Sequence, residues 1–234
     1  MSIATNIQGL QQRISSAAQR TGRNPREIRL MAVTKTVSPD RIREAWDAGI
    51  RVFGENRVQE FESKFQALHD LDPEWHMIGH LQSNKSARAT ELFAHIDSVD
   101  SVKLAQRLNS AASQLGKKMP ILIEINIGGE EAKTGVPPES DESEKLLAAA
   151  PQLSSLDFRG LMTVPPYFDN PEQSRPYFRR MRDLFDRLRK RNLPAIRLET
   201  LSMGMSHDFE VAIEEGSTCV RIGTAIFGER PQPQ

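Results

Sequence analysis

Eight short apolar runs alternate with stretches of helical character, and this alternation limits the fold more than any other feature. The runs lie at 29–35 (RLMAVTK), 51–56 (RVFGEN), 74–81 (EWHMIGHL), 95–100 (HIDSVD), 121–127 (ILIEINI), 157–164 (DFRGLMTV), 198–205 (LETLSMGM) and 219–228 (CVRIGTAIFG). Several are β-branched and nearly continuous in hydrophobicity, as parallel strands covered on both faces are. Helical signals separate them. Ser38 and Pro39 read as an N-cap and an N1 proline, Ile42, Ala45 and Trp46 as a buried stripe, and Gly49 as the glycine past the helix end. Val58, Phe61, Phe65 and Leu68 form a second stripe, and Leu104, Leu108, Ala111, Ala112 and Leu115 a third. Asn170 and Pro171 open what reads as the longest helix, with Phe178, Met181, Leu184, Phe185 and Leu188 on its buried face. The helical pattern near 83–93 is the weakest.

Eight strands joined by crossover helices predict an α/β fold, a single (β/α)8 TIM barrel, and 234 residues is close to the usual size of one. An open doubly wound sheet is the rival. Only GERPQPQ follows the eighth run, so the last strand lacks a covering helix of its own. Ile3, Ile7, Leu10, Ile14 and Ala17 recur at helical spacing and predict an extra N-terminal helix within 1–22 that packs on the barrel in that place. One domain spanning 1–234 is expected, with 229–234 as a flexible tail.

Charge and cysteine content narrow the function classes. The 31 Lys+Arg balance 31 Asp+Glu, so there is no global field to hold a polyanion or an anionic membrane, and neither nucleic-acid nor membrane binding is expected. The N-terminal segment has no basic stretch followed by an apolar one, and no 18-residue apolar run occurs, which predicts a cytoplasmic protein. Cys219 is the single cysteine and no Cys/His cluster has zinc spacing, so no disulfide and no metal site is expected and the core must hold the fold.

Barrels of this kind carry their reactive groups at the C-terminal strand ends. The first run ends in Val33-Thr34-Lys35-Thr36. Two readings of Lys35 stand: an amine stripped of water, whose pKa falls below its ordinary value of about 10.4 and which attacks aldehydes, or a lysine that snorkels to solvent. The loops after strands seven and eight commonly bind phosphate, and here they carry Ser202, Gly204, Ser206, Gly223 and Thr224. The plain alternatives are a helix cap for Ser206, a turn for Gly204 and a sheet position for Thr224. Alternation places Arg221 on one side of its strand with Cys219 and Gly223. If that side is the interior, the guanidinium needs a partner or a ligand, and Glu55 is the alternative ion-pair partner.

The chain resembles the pyridoxal 5′-phosphate (PLP) homeostasis protein family, single fold-type III barrels related to the cofactor domain of alanine racemase. The resemblance rests on AVTKT at 32–36, FGENRVQE at 53–60, WHMIGHLQSNK at 75–85, IDSVDS at 96–101, INI and AKTG within 125–135, RGLMTV at 159–164, LSMGMSHDFEVAI at 201–213 and GSTCVRIGTAIFG at 216–228. It implies PLP as cofactor, Lys35 as the Schiff-base lysine, and Ser206, Gly223 and Thr224 as phosphate ligands joined by Ser202 and the Met203 backbone. It further implies that Arg221 faces the pyridine nitrogen and that Asn56 lines the ring site. The implied role is intracellular PLP homeostasis, meaning vitamin B6 supply and amino-acid/keto-acid balance without turnover, by a monomer in transient contact with PLP-dependent apo-enzymes.

An arginine beside the ring nitrogen has only donors to offer and does not deprotonate, so that nitrogen stays unprotonated and the ring is a poor electron sink. This disfavours transamination and decarboxylation. A fold-type III amino-acid racemase is the alternative function, although related racemases take a second acid/base from an extra β-domain that this sequence is not expected to carry. A Schiff-base aldolase on a sugar phosphate is a third. His80 is an acid/base candidate or a structural histidine, Tyr167 a mouth phenol or a packing residue, Lys85 and Lys133 cofactor-steering or solvated charges, and Cys219 a small core residue.

Overall fold

The computed structural model describes residues 2–130 and 132–229, so all of the expected tail but Glu229 lies outside the described residues. Strands β1 (Arg29–Val33), β2 (Val52–Glu55), β3 (Glu74–Met77), β4 (His95–Val99), β5 (Met119–Glu124), β6 (Leu156–Met162), β7 (Ile196–Met205) and β8 (Cys219–Ile222) pair in sequence order. The ring closes through β8 and β1, from Arg29 opposite Cys219 to Ala32 opposite Ile222, which excludes the open sheet. Helices α2 (Pro39–Asp47), α3 (Val58–Phe65), α4 (Ser86–Leu92), α5 (Val102–Gln114), α6 (Asp141–Ala149), α7 (Arg175–Lys190) and α8 (Phe209–Glu214) follow the first seven strands in turn. Among the described residues, no helix is long and apolar enough to cross a membrane.

Strand alternation divides the side chains into two sets. Ala32, Phe53, Met77, Ile96, Ile121, Leu161, Val220 and Ile222 point outward into the main core with the helices, while Met31, Val52 and Cys219 pack with Ile78 in a small cluster inside the ring. Burial of the outward set is the main stabilisation of the barrel wall.

Helix α1 (Ile3–Arg20) closes the gap left after β8, where α9 (Thr224–Phe227) is only 4 residues long. It packs against α2, α8 and α9. Its stripe Ile3, Ile7, Leu10, Ile14 and Ala17 is buried, and the Asn6 amide donates to the Ile226 carbonyl at 2.9 Å. Ser2 caps it by accepting from the Thr5 N–H.

Three sequence expectations differ in detail. The run at 219–228 is not one strand: the chain turns at Gly223 and Thr224–Phe227 is helical, because a short apolar run fits a buried helix as well as a strand. Asn170 caps a 3-10 turn at Pro171–Ser174 rather than α7 itself, and α1, at 18 residues, is longer than α7, at 16. Leu115 is 48% exposed because α5 ends at Gln114, leaving Leu115 past the buried stripe.

Candidate functional site at the barrel mouth

The C-terminal ends of β1, β2, β7 and β8 open onto a cavity of about 710 Å³ whose wall includes Lys35, Asn56, Ser206, Arg221, Gly223 and Thr224. Ser202 and Met203 are not on that wall. Ser202 is fully buried with its hydroxyl committed to Arg221, and the Met203 side chain belongs to the outer core, its carbonyl accepting from Ser217 at 2.7 Å.

Lys35 is half-buried just after β1, in a segment clamped from beneath. The Thr34 hydroxyl donates to Glu55 Oε1 at 2.6 Å. Lys64 Nζ donates to the Thr34 carbonyl at 2.9 Å, to Glu55 Oε1 at 2.9 Å and to Glu60 Oε1 at 2.7 Å. Glu60 also accepts the Thr36 N–H, fixing that residue at φ 62°, in the left-handed region a threonine rarely adopts. Burial pushes the Glu55 carboxyl above its ordinary range, opposed by Lys64 and Thr34. Glu55 is therefore the partner of Lys64, not of Arg221 as one sequence reading allowed.

Arg221 is 4% exposed inside the ring. Its Nη1 donates to Ser202 Oγ at 2.7 Å and its Nη2 to the Thr163 carbonyl at 2.8 Å, so the fork is fixed by β7 and the end of β6. Burial pulls the guanidinium below its usual range, and Asp97, Asp208 and Glu124 act against that pull.

Two close backbone approaches shape the wall. Gly204 has φ +95°, and a Cβ there would stand 2.5 Å from that of Ala212, so only glycine lets α8 lie against the end of β7. The loop between them brings Ser206 Oγ to 3.3 Å from the Ala225 N–H, in the first turn after β8. Ser206 is not the cap of α8; Asp208 holds that position and accepts the Met205 N–H at 2.7 Å. After β3, a Cβ at Gly79 would meet the Asn56 carbonyl at 2.3 Å, and this contact seats Asn56 at the mouth. Asn56 Oδ1 is buried and has no hydrogen-bond partner among the described residues.

A second cavity, about 450 Å³, shares Asn56 and adds Arg57, His80, Gln82 and Lys85. His80 is mostly exposed, with Nδ1 3.4 Å from Asp100. Lys133 pairs with Glu130 at 2.5 Å and donates to the Pro165 carbonyl at 3.2 Å. Tyr167 is 72% exposed on the first cavity's rim, tilted against His207. Burial pushes the Cys219 thiol up to about 11, consistent with a packing role. Sequence reasoning missed the Thr34, Glu55, Glu60 and Lys64 clamp. Only the Glu60 and Lys64 spacing of four was visible, because the other contacts join different elements.

The closed parallel barrel, with Lys35 and the turn after β8 side by side at one mouth, falls by its family match into the class of alanine-racemase-like barrels. Residues 5–231 match the family described as alanine racemase, N-terminal domain. An alanine racemase from Clostridium difficile superposes with TM-score 0.76 at 15% identity, covering 99% of this chain and 57% of that one, a likeness of fold alone. At finer grain, pyridoxal phosphate homeostasis proteins from Aquifex aeolicus and Escherichia coli are 47% and 45% identical over 230 and 231 residues, 98% and 97% of this chain and 99% and 97% of theirs. The chain belongs to the pyridoxal phosphate homeostasis protein family. The PLP-bound structure of PipY from Synechococcus elongatus superposes with TM-score 0.80 at 38% identity, covering 97% of this chain and 100% of that one.

Proposed function

We propose that this protein binds PLP in the mouth cavity, attached reversibly through Lys35, and serves intracellular PLP homeostasis without catalytic turnover. The observation that carries this reading is the convergence of Lys35, Arg221 and the Ser206, Gly223 and Thr224 group on one wall. The residues present fit the group. Asn56 offers an uncommitted buried amide oxygen, and Ser206 stands beside the turn after β8, where hydroxyls and backbone N–H groups suit a phosphate. When bound, PLP supplies an aldehyde with which a lysine amine condenses, with loss of water.

The chain's own residues do the rest. The Lys64 clamp fixes the backbone of the lysine-bearing segment, so Lys35 approaches from one direction. Arg221, locked to Ser202 and Thr163, presents a fixed positive fork, a donor with no proton to give up, which disfavours carbanion chemistry at the ring. An open mouth permits exchange, so release to PLP-dependent apo-enzymes is the corresponding biological role.

The test is a visible spectrum of the purified protein reconstituted with PLP, for wild type and Lys35→Ala. The wild type should show a visible absorption band from the conjugated imine between Lys35 and the cofactor, and the band should be absent in the variant. A wild type that stays colourless after reconstitution would contradict the reading. Solvent deuterium exchange at Cα of added amino acids would favour the racemase reading instead.

A further inference from the structure

The opposite, N-terminal end of the barrel holds a second group of ligand-capable side chains. Alternation along β3 points Glu74 and His76 to the same side, and the β3–β4 register sets His76 beside His95. Glu74 Oε1 lies 3.0 Å from His76 Nε2 and 3.0 Å from His95 Nε2, and the three ligand atoms are all within 4.8 Å of one another. His76 Nδ1 is 2.8 Å from Asp97 Oδ2, and Glu74 Oε2 is 2.5 Å from Arg29. Asp97 is 1% exposed, and its Oδ1 has no hydrogen-bond partner among the described residues.

We propose that Glu74, His76 and His95 form a binding site for a divalent transition-metal ion of the zinc class, at the end of the barrel away from the mouth cavity. Two imidazoles and one carboxylate suit zinc, cobalt or nickel, whereas magnesium and calcium take oxygen sets. Tetrahedral donors on a zinc ion with bonds of about 2.1 Å lie about 3.4 Å apart, so the two 3.0 Å contacts from the Glu74 oxygen, which are of hydrogen-bond length, need to open by only about 0.4 Å to admit the ion. The Asp97 contact to Nδ1 is the arrangement that turns Nε2 of a ligating histidine toward a metal and fixes its tautomer.

Glu74 and Asp97 bring two carboxylates to this end, and Arg29 pairs with one of them. An ion bound to Glu74 and His76 would have a carboxylate-backed histidine as its inner ligand. The imidazole rings are stacked, with centroids 4.2 Å apart and planes 12° from parallel, so binding tilts the rings until both lone pairs meet the ion. The His95 side chain, 14% exposed against 6% for His76, has the freedom to do so. Each nitrogen that coordinates gives up any proton it carries to solvent, and water fills the positions left open beside the partly exposed Glu74. The cluster would tie β1, β3 and β4 together at the barrel floor and raise stability in proportion to occupancy. A Glu-x-His pair completed by a histidine from the next strand has no Cys/His zinc spacing, so nothing local marks it.

The experiment is calorimetric titration of the full chain with zinc sulfate, PLP-free and PLP-loaded, for wild type, Glu74→Gln and His95→Gln, alongside anomalous diffraction from zinc-soaked wild-type crystals. The expected result is one zinc per chain in both PLP states, affinity weaker by about tenfold or more in each variant, and an anomalous peak bounded by the three side chains. No stoichiometric binding, undiminished affinity in either folded variant, or a peak elsewhere would overturn the proposal. Should a variant fail to fold, the wild-type peak decides alone.

Discussion

Lys64 Nζ lies 2.9 Å from Glu55 Oε1, an ammonium and a carboxylate whose side chains are 9% and 0% exposed, directly beneath the segment that carries Lys35. Removing the cation strands a buried charge, which costs about 3–5 kcal/mol. Lys64→Met should therefore lower the unfolding free energy in urea by that order, and adding Glu55→Gln should recover part of it. A loss under about 0.5 kcal/mol would show that the pair does not support this segment.

Ser206→Ala and Thr224→Val should each weaken PLP binding by about 1–3 kcal/mol through lost charge-assisted hydrogen bonds, read from equilibrium titration of the visible band. Affinities equal to wild type in both would place the phosphate elsewhere.

Gly204 connects packing to the site. With φ +95° and no room beside Ala212, Gly204→Ala must move α8 or strain the backbone, at about 1–3 kcal/mol. Since the same loop carries Ser206, PLP affinity should fall together with stability. Unchanged urea midpoints would contradict the steric argument.

Asp157, 8% exposed on β6, accepts from Arg159 Nε at 2.7 Å and Arg197 Nη2 at 2.8 Å. Burial alone would raise its pKa, but the two arginines outweigh burial and hold it below the ordinary value. A depressed folded value means stability present above the unfolded pKa of about 3.9 and lost as pH falls through the lower folded one. Because the arginines are 39% and 57% exposed, the effect is modest, about 0.5–1 kcal/mol. The stability gap between wild type and Asp157→Asn should be full at neutral pH and vanish below the folded value. A gap that persists unchanged in strong acid would refute the ion-pair account.

The barrel was legible because its strands are short, apolar and evenly separated by helical stripes, so period and length both pointed to the same topology. The mouth was legible where residues follow strand ends directly, as Lys35, Asn56, Gly223 and Thr224 do. What stayed hidden depends on which elements become neighbours. Nothing local marks Lys64 as the partner of Glu55, or Ser202 as an anchor for Arg221 rather than a wall residue, because each contact crosses between elements. The Glu74, His76 and His95 cluster was hidden for the same reason, since strand register creates it.

The most direct measurement of attachment at Lys35 is borohydride reduction of the PLP-treated protein followed by intact-mass and peptide analysis. A single reduced pyridoxyl adduct on Lys35 is expected in the wild type and none in Lys35→Ala. An unmodified wild type, or an adduct on another lysine while Lys35 carries none, would contradict attachment at Lys35.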